Sequence, residues 1–256
     1  MDIAVAIASA GVSRSDAEVL LAYILDCDRA HIIAHPERVL SKDVEKRWDD
    51  CTVRRRGGEP VAYITGEREF YGRVFHVDRR VHIPRPSTEN LVTMTLDFLR
   101  NPRDEVRELE TGVIGVARIL RPSHQVQTVV DVCTGSGCIA VTIALERPDL
   151  DVLAIDIDPD ALVVAQENAR RLGVNNVRFI QSNLLDKLQD PSEPYIIVSN
   201  PPYLSDADIK QNPDLHFEPR RALYGGNSRR SVIAQLEQAA VMRGCTGLVI
   251  EQMREA

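Results

Sequence analysis

Asn200-Pro201-Pro202-Tyr203 directly follows an apolar run, Tyr195-Ile196-Ile197-Val198-Ser199, that reads as a buried strand. Two consecutive prolines stiffen the turn and present carbonyls without a competing N–H. The Asn200 side-chain oxygen and the Pro201 carbonyl can each accept one hydrogen of a planar –NH2 group, while Tyr203 packs against its flat face. Such a nitrogen is a poor nucleophile because its lone pair is delocalised, and two acceptors drawing on its hydrogens favour the form that attacks. The chemistry is group transfer to nitrogen, which needs alignment and a dry pocket more than a metal or a strong base.

A second cluster lies upstream. Thr128-Val129-Val130-Asp131-Val132 reads as a buried strand and runs into Cys133-Thr134-Gly135-Ser136-Gly137, which opens a helix. Gly135 and Gly137 let the backbone turn tightly beside a ligand, and the helix start offers unpaired N–H groups. The next apolar run, 152–155, ends in Asp156, where a carboxylate can accept from both hydroxyls of a ribose. With Asp131, Thr134 and Ser136, these residues form a candidate site for a nucleoside-containing cofactor. Gly135-Ser136-Gly137-Cys138-Ile139-Ala140 also fits the G-x-G-x-x-A variant of the dinucleotide fingerprint, so the loop alone does not choose the cofactor. A methyl sulfonium donor suits the –NH2 pocket; a dehydrogenase leaves 200–203 unexplained.

These clusters need an α/β frame. Strand-like runs at 128–133, 152–156, 177–181, 195–199 and 247–251 alternate with helical stretches at 137–146, 159–172 and 231–243, the pattern of a parallel sheet covered on both faces. Apolar residues recur at helical spacing from Ser13 to about Arg56, with Ser13 or Ser15 able to cap, which gives a helical domain over 1–66. Alternation around Phe70-Tyr71-Gly72-Arg73-Val74-Phe75 predicts a β-hairpin linker over 67–86, closed by Ile83-Pro84-Arg85-Pro86. The sheet domain then covers 87–256. Residues 101–127 read as an insertion around an apolar helical turn, and the stop at Ala256 leaves the last parallel strand as an unpaired edge.

The 256 residues carry a formal charge of −7, against the basic surface that general nucleic-acid binding requires. The five cysteines are scattered without a C-x-x-C pair, so neither a disulfide framework nor a zinc cluster is indicated. Cys133 and Cys138 read as small packing residues. His31 and His35 have metal-ligand spacing but no third ligand nearby. Arg54-Arg55-Arg56 reads as a solvated helix end. No stretch has the length of a membrane span, and a monomer in the cytoplasm is expected.

The chain resembles the HemK family of peptide chain release factor glutamine methyltransferases. The resemblance is carried by Gly58-Glu59-Pro60-Val61-Ala62-Tyr63-Ile64-Thr65-Gly66, Glu69-Phe70-Tyr71-Gly72, Ile83-Pro84-Arg85-Pro86, 131–140, Asn168-Ala169-Arg170-Arg171-Leu172-Gly173, 198–203 and Phe217-Glu218-Pro219-Arg220-Arg221-Ala222-Leu223. It implies a Rossmann-like class I methyltransferase sheet without its C-terminal strands. It also implies S-adenosylmethionine held by Gly135, Gly137 and Asp156, and the glutamine of a release-factor Gly-Gly-Gln loop held at Asn200 and Pro201. The helical domain would help engage that factor. Asn183 stands where the family usually carries an acid for the adenine amine. His82 and Ser87 replace an aliphatic and an acidic residue, and Asn227-Ser228-Arg229-Arg230 replaces a commoner Asp-Gly turn. Two readings stay beside this one: methylation of an exocyclic amine on adenine in DNA or RNA, and a binding module without turnover.

Overall fold

The computed structural model describes residues 1–110, 112–121, 126–189, 191–226 and 231–254; Asn227-Ser228-Arg229-Arg230 lies outside them. The chain divides into two compact units, Met1–Glu67 with Pro213–Phe217, and Arg68–Asn212 with Glu218–Ala256.

The first unit is helical: α1 (Ile3–Ser9), α2 (Arg14–Leu25), α3 (Arg29–Ala34), α4 (Lys42–Arg56) and α5 (Val61–Thr65). Its start signals are side-chain caps, with Asp2, Ser13, Asp28 and Ser41 each accepting from a backbone N–H of the first turn. Ile3, Leu20, Leu21, Ile32 and Trp48 form its core. Helix α1 precedes the periodic stretch that begins at Ser13, and only Ile3 and Ala6 of its residues are buried. Glu18 is buried on α2 and paired with both Arg14 and Arg29, which hold its carboxyl below the usual range.

The second unit opens at the second residue of the hairpin strand β1 (Glu67–Phe70), which is followed by β2 (Arg73–His76) and α6 (Pro86–Arg100). Residues 77–85 have no ladder pairing: a turn at Asp78–Val81, closed by Val81 N–H donating to the Asp78 carbonyl at 3.1 Å, leads to Ile83-Pro84, and Pro86 opens α6. Then come β3 (Glu105–Glu110), β4 (Val113–Ile119), β5 (Thr128–Val132), α7 (Cys138–Glu146), β6 (Asp151–Asp156), α8 (Pro159–Arg171), β7 (Val177–Gln181) and β8 (Tyr195–Ser199). The short helices α9 (Asp206–Gln211) and α10 (Arg220–Leu223), then α11 (Ser231–Met242) and β9 (Gly247–Met253), complete it. Among the described residues the main sheet has the order β3-β4-β9-β8-β5-β6-β7. The five strands from β9 to β7 are parallel; β4 runs antiparallel to β9, and β3 to β4.

Alternate residues of each central strand enter different cores, as the period of two requires. Val129, Val152, Ala154, Ile196, Val198 and Val249 face α6, α7 and the hairpin aromatics Phe70 and Phe75. Val130, Val132, Leu153, Ile155, Ile197, Leu248 and Ile250 face α11. The two hairpin rings meet edge to face at 5.9 Å.

Two expectations are corrected. Residues 105–119 form two strands instead of a helical turn, and β9 is no open edge, because Val113–Ile119 pairs with Gly247–Met253 along its whole length. The physical reason is local: Val113, Ile114 and Val116 are β-branched residues with strand preference. Ile114 and Val116 enter one core while Ala117 enters the other. The outer strand, Glu-Val-Arg-Glu-Leu-Glu, carries four charged residues that keep an edge in water.

Val116→Pro would remove a ladder donor from a strand paired on both sides. It is expected to lower the unfolding free energy by about 1–3 kcal/mol, the cost of stranding a buried backbone group, read as a lower urea midpoint. An unchanged midpoint would show that β4 contributes nothing to the sheet.

Candidate active site

The parallel order reverses direction at β5: β6 and β7 lie on one side, β8 and β9 on the other. Loops leaving β5 and β8 therefore diverge from the carboxyl ends of neighbouring strands, where an open α/β sheet has its crevice.

The loop after β5 is built by positive φ angles at Cys133, Gly135 and Gly137, of 62°, 54° and 79°. Cys133 adopts this conformation although it has a side chain, and Thr134 N–H holds it by donating to the Ile155 carbonyl at 2.9 Å. A Cβ on Gly137 would lie 3.0 Å from the Ala165 Cβ, so this glycine allows α7 to pack on α8. A Cβ on Gly135 would meet nothing within 4 Å, so the loop faces open space there. The Ser136 carbonyl accepts from Asn168 Nδ2 at 2.9 Å. Asn168 also exchanges two hydrogen bonds with the His76 backbone, at 2.7 and 2.9 Å, so one buried side chain joins hairpin, loop and α8.

Asp131 is fully buried. Its Oδ2 accepts from the Thr134 hydroxyl at 2.6 Å and the Ala140 N–H at 3.1 Å, while Oδ1 is buried without a partner among the described residues. Burial pushes its carboxyl up to about 7, against the pull of those two bonds. Asp156 Oδ2 accepts from Gly135 N–H at 2.9 Å and Oδ1 from Asp158 N–H at 3.0 Å. Burial raises this carboxyl too. One bond per oxygen leaves each a further lone pair, which fits a ribose diol beside the open face of Gly135. Asn183, after β7, donates to Asp186 at 3.2 Å, so an acid lies beside the position where the amide stands.

The loop after β8 is fixed on several sides. Ser199 Oγ donates to the Val132 carbonyl at 2.6 Å, which ties the two loop bases together. Asn200 Nδ2 donates to Thr88 Oγ1 at 3.0 Å, and the Tyr203 hydroxyl donates to Glu251 at 2.9 Å. Behind the prolines, Leu204 N–H donates to Leu223 O and Gly225 N–H to Leu204 O, both at 2.9 Å. A Cβ on Gly225 would come within 2.7 Å of Tyr203 Cα, which leaves no room for another residue type.

Three carboxylates, beside this loop or at the 82–87 segment, were not singled out from the sequence. Glu251 lies within β9 and has no exposed surface. Glu110 accepts from Ser87 N–H at 3.0 Å. Glu218 is buried and accepts from Ile83 N–H at 3.0 Å, His82 Nδ1 at 2.5 Å and Arg85. Burial pushes Glu218 up, but His82 and Arg85 outweigh it and leave the carboxyl below its usual value. The available signal was an acid closing an otherwise apolar strand, Gly-Leu-Val-Ile-Glu, and the acid in Phe-Glu-Pro. Burial raises the Cys133 thiol and takes Cys138 to about 12, as expected of packing residues. His31 stacks on His35 at 4.5 Å.

A glycine turn after β5, an acid at the end of β6, the Asn200–Tyr203 loop after β8 and an antiparallel β4 beside β9 together are the pattern of an S-adenosylmethionine-dependent methyltransferase. Residues 4–66 match the PrmC N-terminal domain and residues 112–217 the Methyltransferase small domain. The release factor glutamine methyltransferase of Koribacter versatilis is 43% identical over 225 residues, which span 87% of this chain and 72% of that protein. The Escherichia coli (strain K12) protein of the same name is 36% identical over 236 residues, 90% of this chain and 76% of its own length. That of Neisseria gonorrhoeae is 40% identical over 238 residues. The chain belongs to the release factor glutamine methyltransferase family. Among the described residues no helix is long and apolar enough to cross a membrane.

Asp131 gives the ligand-free protein a pH signature. Its raised value means that the folded chain keeps a proton that the unfolded chain releases near pH ~4. The stability this confers is full below that pH and is lost as pH rises through about 7. Asp131→Asn retains an acceptor for Thr134 and Ala140 but cannot titrate. Wild-type minus variant stability is expected to fall by up to about 1.4 kcal/mol per pH unit in that window, measured by urea unfolding; a flat difference counts against the buried proton.

Proposed function

We propose that this chain transfers the methyl group of S-adenosylmethionine to the side-chain amide nitrogen of the glutamine in the Gly-Gly-Gln loop of a peptide chain release factor. The observation that carries the reading is the Asn200-Pro201-Pro202-Tyr203 loop at the carboxyl end of β8, beside the glycine loop of β5, with the Asn200 amide turned so that its nitrogen is engaged by Thr88. The family of the chain supports glutamine as the acceptor.

In this reading Asp156 holds the ribose and the backbone of 134–137 lies against the cofactor, with Asp131 supporting that loop from below and Asn183 near the adenine. Bound S-adenosylmethionine supplies a methyl group already activated on a sulfonium, so no metal is needed. Asn200 Oδ1 and the Pro201 carbonyl each accept one hydrogen of the glutamine –NH2, which aligns its lone pair and favours pyramidal nitrogen. Pro202 keeps the loop rigid, and Tyr203 covers the amide plane and excludes water. The helical unit recognises the release factor. The protein works as a monomer in the cytoplasm, without direct DNA binding.

Incubation with tritiated S-adenosylmethionine and purified release factor tests this. Label is expected on the Gly-Gly-Gln glutamine, to disappear with a Gly-Gly-Ala acceptor, and to fall at least ~100-fold in rate with Asn200→Ala, the order of loss for a preorganised polar contact at a reacting centre. Label that survives both changes, or that enters nucleic acid, would sink the glutamine reading.

A further inference from the structure

Glu251 is a carboxylate with no exposed surface and no ion-pair partner among the described residues. Its donors are hydroxyls. Tyr203 donates to Oε1 at 2.9 Å, Thr88 to Oε2 at 3.1 Å and Ser87 to Oε1 at 3.4 Å. Burying an unpaired carboxylate is costly, and an apolar or amide side chain would fill the same space at lower cost. A carboxylate differs from these in being able only to accept, from every direction at once.

That property propagates. Thr88 has a single hydroxyl hydrogen, and Glu251 takes it. Toward Asn200 the Thr88 oxygen can therefore only accept, so the Asn200 amide must offer its –NH2 to Thr88, as it does at 3.0 Å. The Asn200 oxygen is then forced to the opposite side. Were the amide reversed, it would present –NH2 to the –NH2 of an acceptor, donor against donor.

We propose that Glu251 is a positioning residue for methyl transfer: through Thr88 it sets which end of the Asn200 amide meets the acceptor nitrogen, and through the Tyr203 hydroxyl it pins the ring beside it. The proposal rests on the acceptor role given to Asn200 above. Glu251→Gln keeps the shape but turns one end into a donor. Facing Thr88, that end would make the hydroxyl donate to Asn200 and reverse the amide; facing Tyr203 and Ser87, it would oppose two hydroxyl donors.

The test uses the full chain, with S-adenosylmethionine affinity by calorimetry, melting temperature, and steady-state kinetics on release factor. Glu251→Gln is expected to lower kcat about 100-fold, the scale of a misaligned reacting group. Cofactor Kd should stay within about twofold, since a transition-state contact is lost without uniform binding. Thr88→Val should show the same split, and Thr88→Ser, which keeps the hydroxyl, should return kcat to within about threefold of wild type. Because the residues act as one unit, the double variant Glu251→Gln/Thr88→Val should be no more than about threefold worse than either alone. Wild-type kcat in Glu251→Gln, losses that multiply in the double variant, or cofactor affinity and melting temperature falling in step with kcat would overturn the proposal while leaving glutamine methylation standing. A wild-type chain that labels no release factor removes the acceptor reading, and this proposal with it.

Discussion

A carboxylate without access to water dictates the arrangement of whatever surrounds it, and Glu251 does so here. Its position on β9 is interior only because β4 covers one side of that strand and β8 the other. Its hydrogen bonds then draw in the first turn of α6, through Ser87 and Thr88, and the loop after β8, through Tyr203. Elements from three distant parts of the chain are thus brought to one point by the need to satisfy two oxygens. The burial that raises this carboxyl is opposed by the same Tyr203 and Thr88 bonds that make it useful.

The cofactor side is organised differently, around a neutral side chain. Asn168 uses both of its amide hydrogens and its oxygen on backbone groups of the hairpin and the glycine loop. In this strand–turn–helix Cys133 takes a positive φ although it is not glycine, a costly conformation, and Asn168 supplies a fixed external contact to the turn. Glu218 has the corresponding task at 82–85, where one carboxylate gathers a backbone N–H, an imidazole and a guanidinium. Family signature segments that look like separate motifs in the sequence are, in the folded second unit, the two ends of such ties.

How much of this was legible follows from the range of the physics involved. The parallel strands and their covering helices were readable because buried strands are continuous apolar runs, and the loops at 133–137 and 200–203 because glycine and proline restrict the backbone locally. Pairing partners were not. Val113-Ile114-Gly115-Val116 carries strand character, but nothing local says that it pairs with 247–253, so this segment read as an insertion and β9 as an open edge. The same limit hid Thr88 and Glu251 from the candidate site: each is unremarkable in its own window, and only their 3.1 Å contact gives them meaning. Asn183 stood out in the sequence as a neutral residue at its motif position, whereas its partner Asp186 became visible only in the fold.

The pairing of β4 with β9 also bears on how the molecule is made. Residue 113 is synthesised long before its partner at 253, so until β9 has been made β3 and β4 have no sheet to join. Closing so long a loop carries a large entropy cost before any contact offsets it, and such pairings are slow. The hairpin at 105–119 must meanwhile keep itself soluble, and the charges of Glu105, Arg107, Glu108 and Glu110 along its outer strand let it wait in water. Because Glu251 lies on β9, which is synthesised after every other described strand of this sheet, the acceptor loop can be locked only after β9 has joined, and order at Asn200 becomes a report that this part of the sheet has closed.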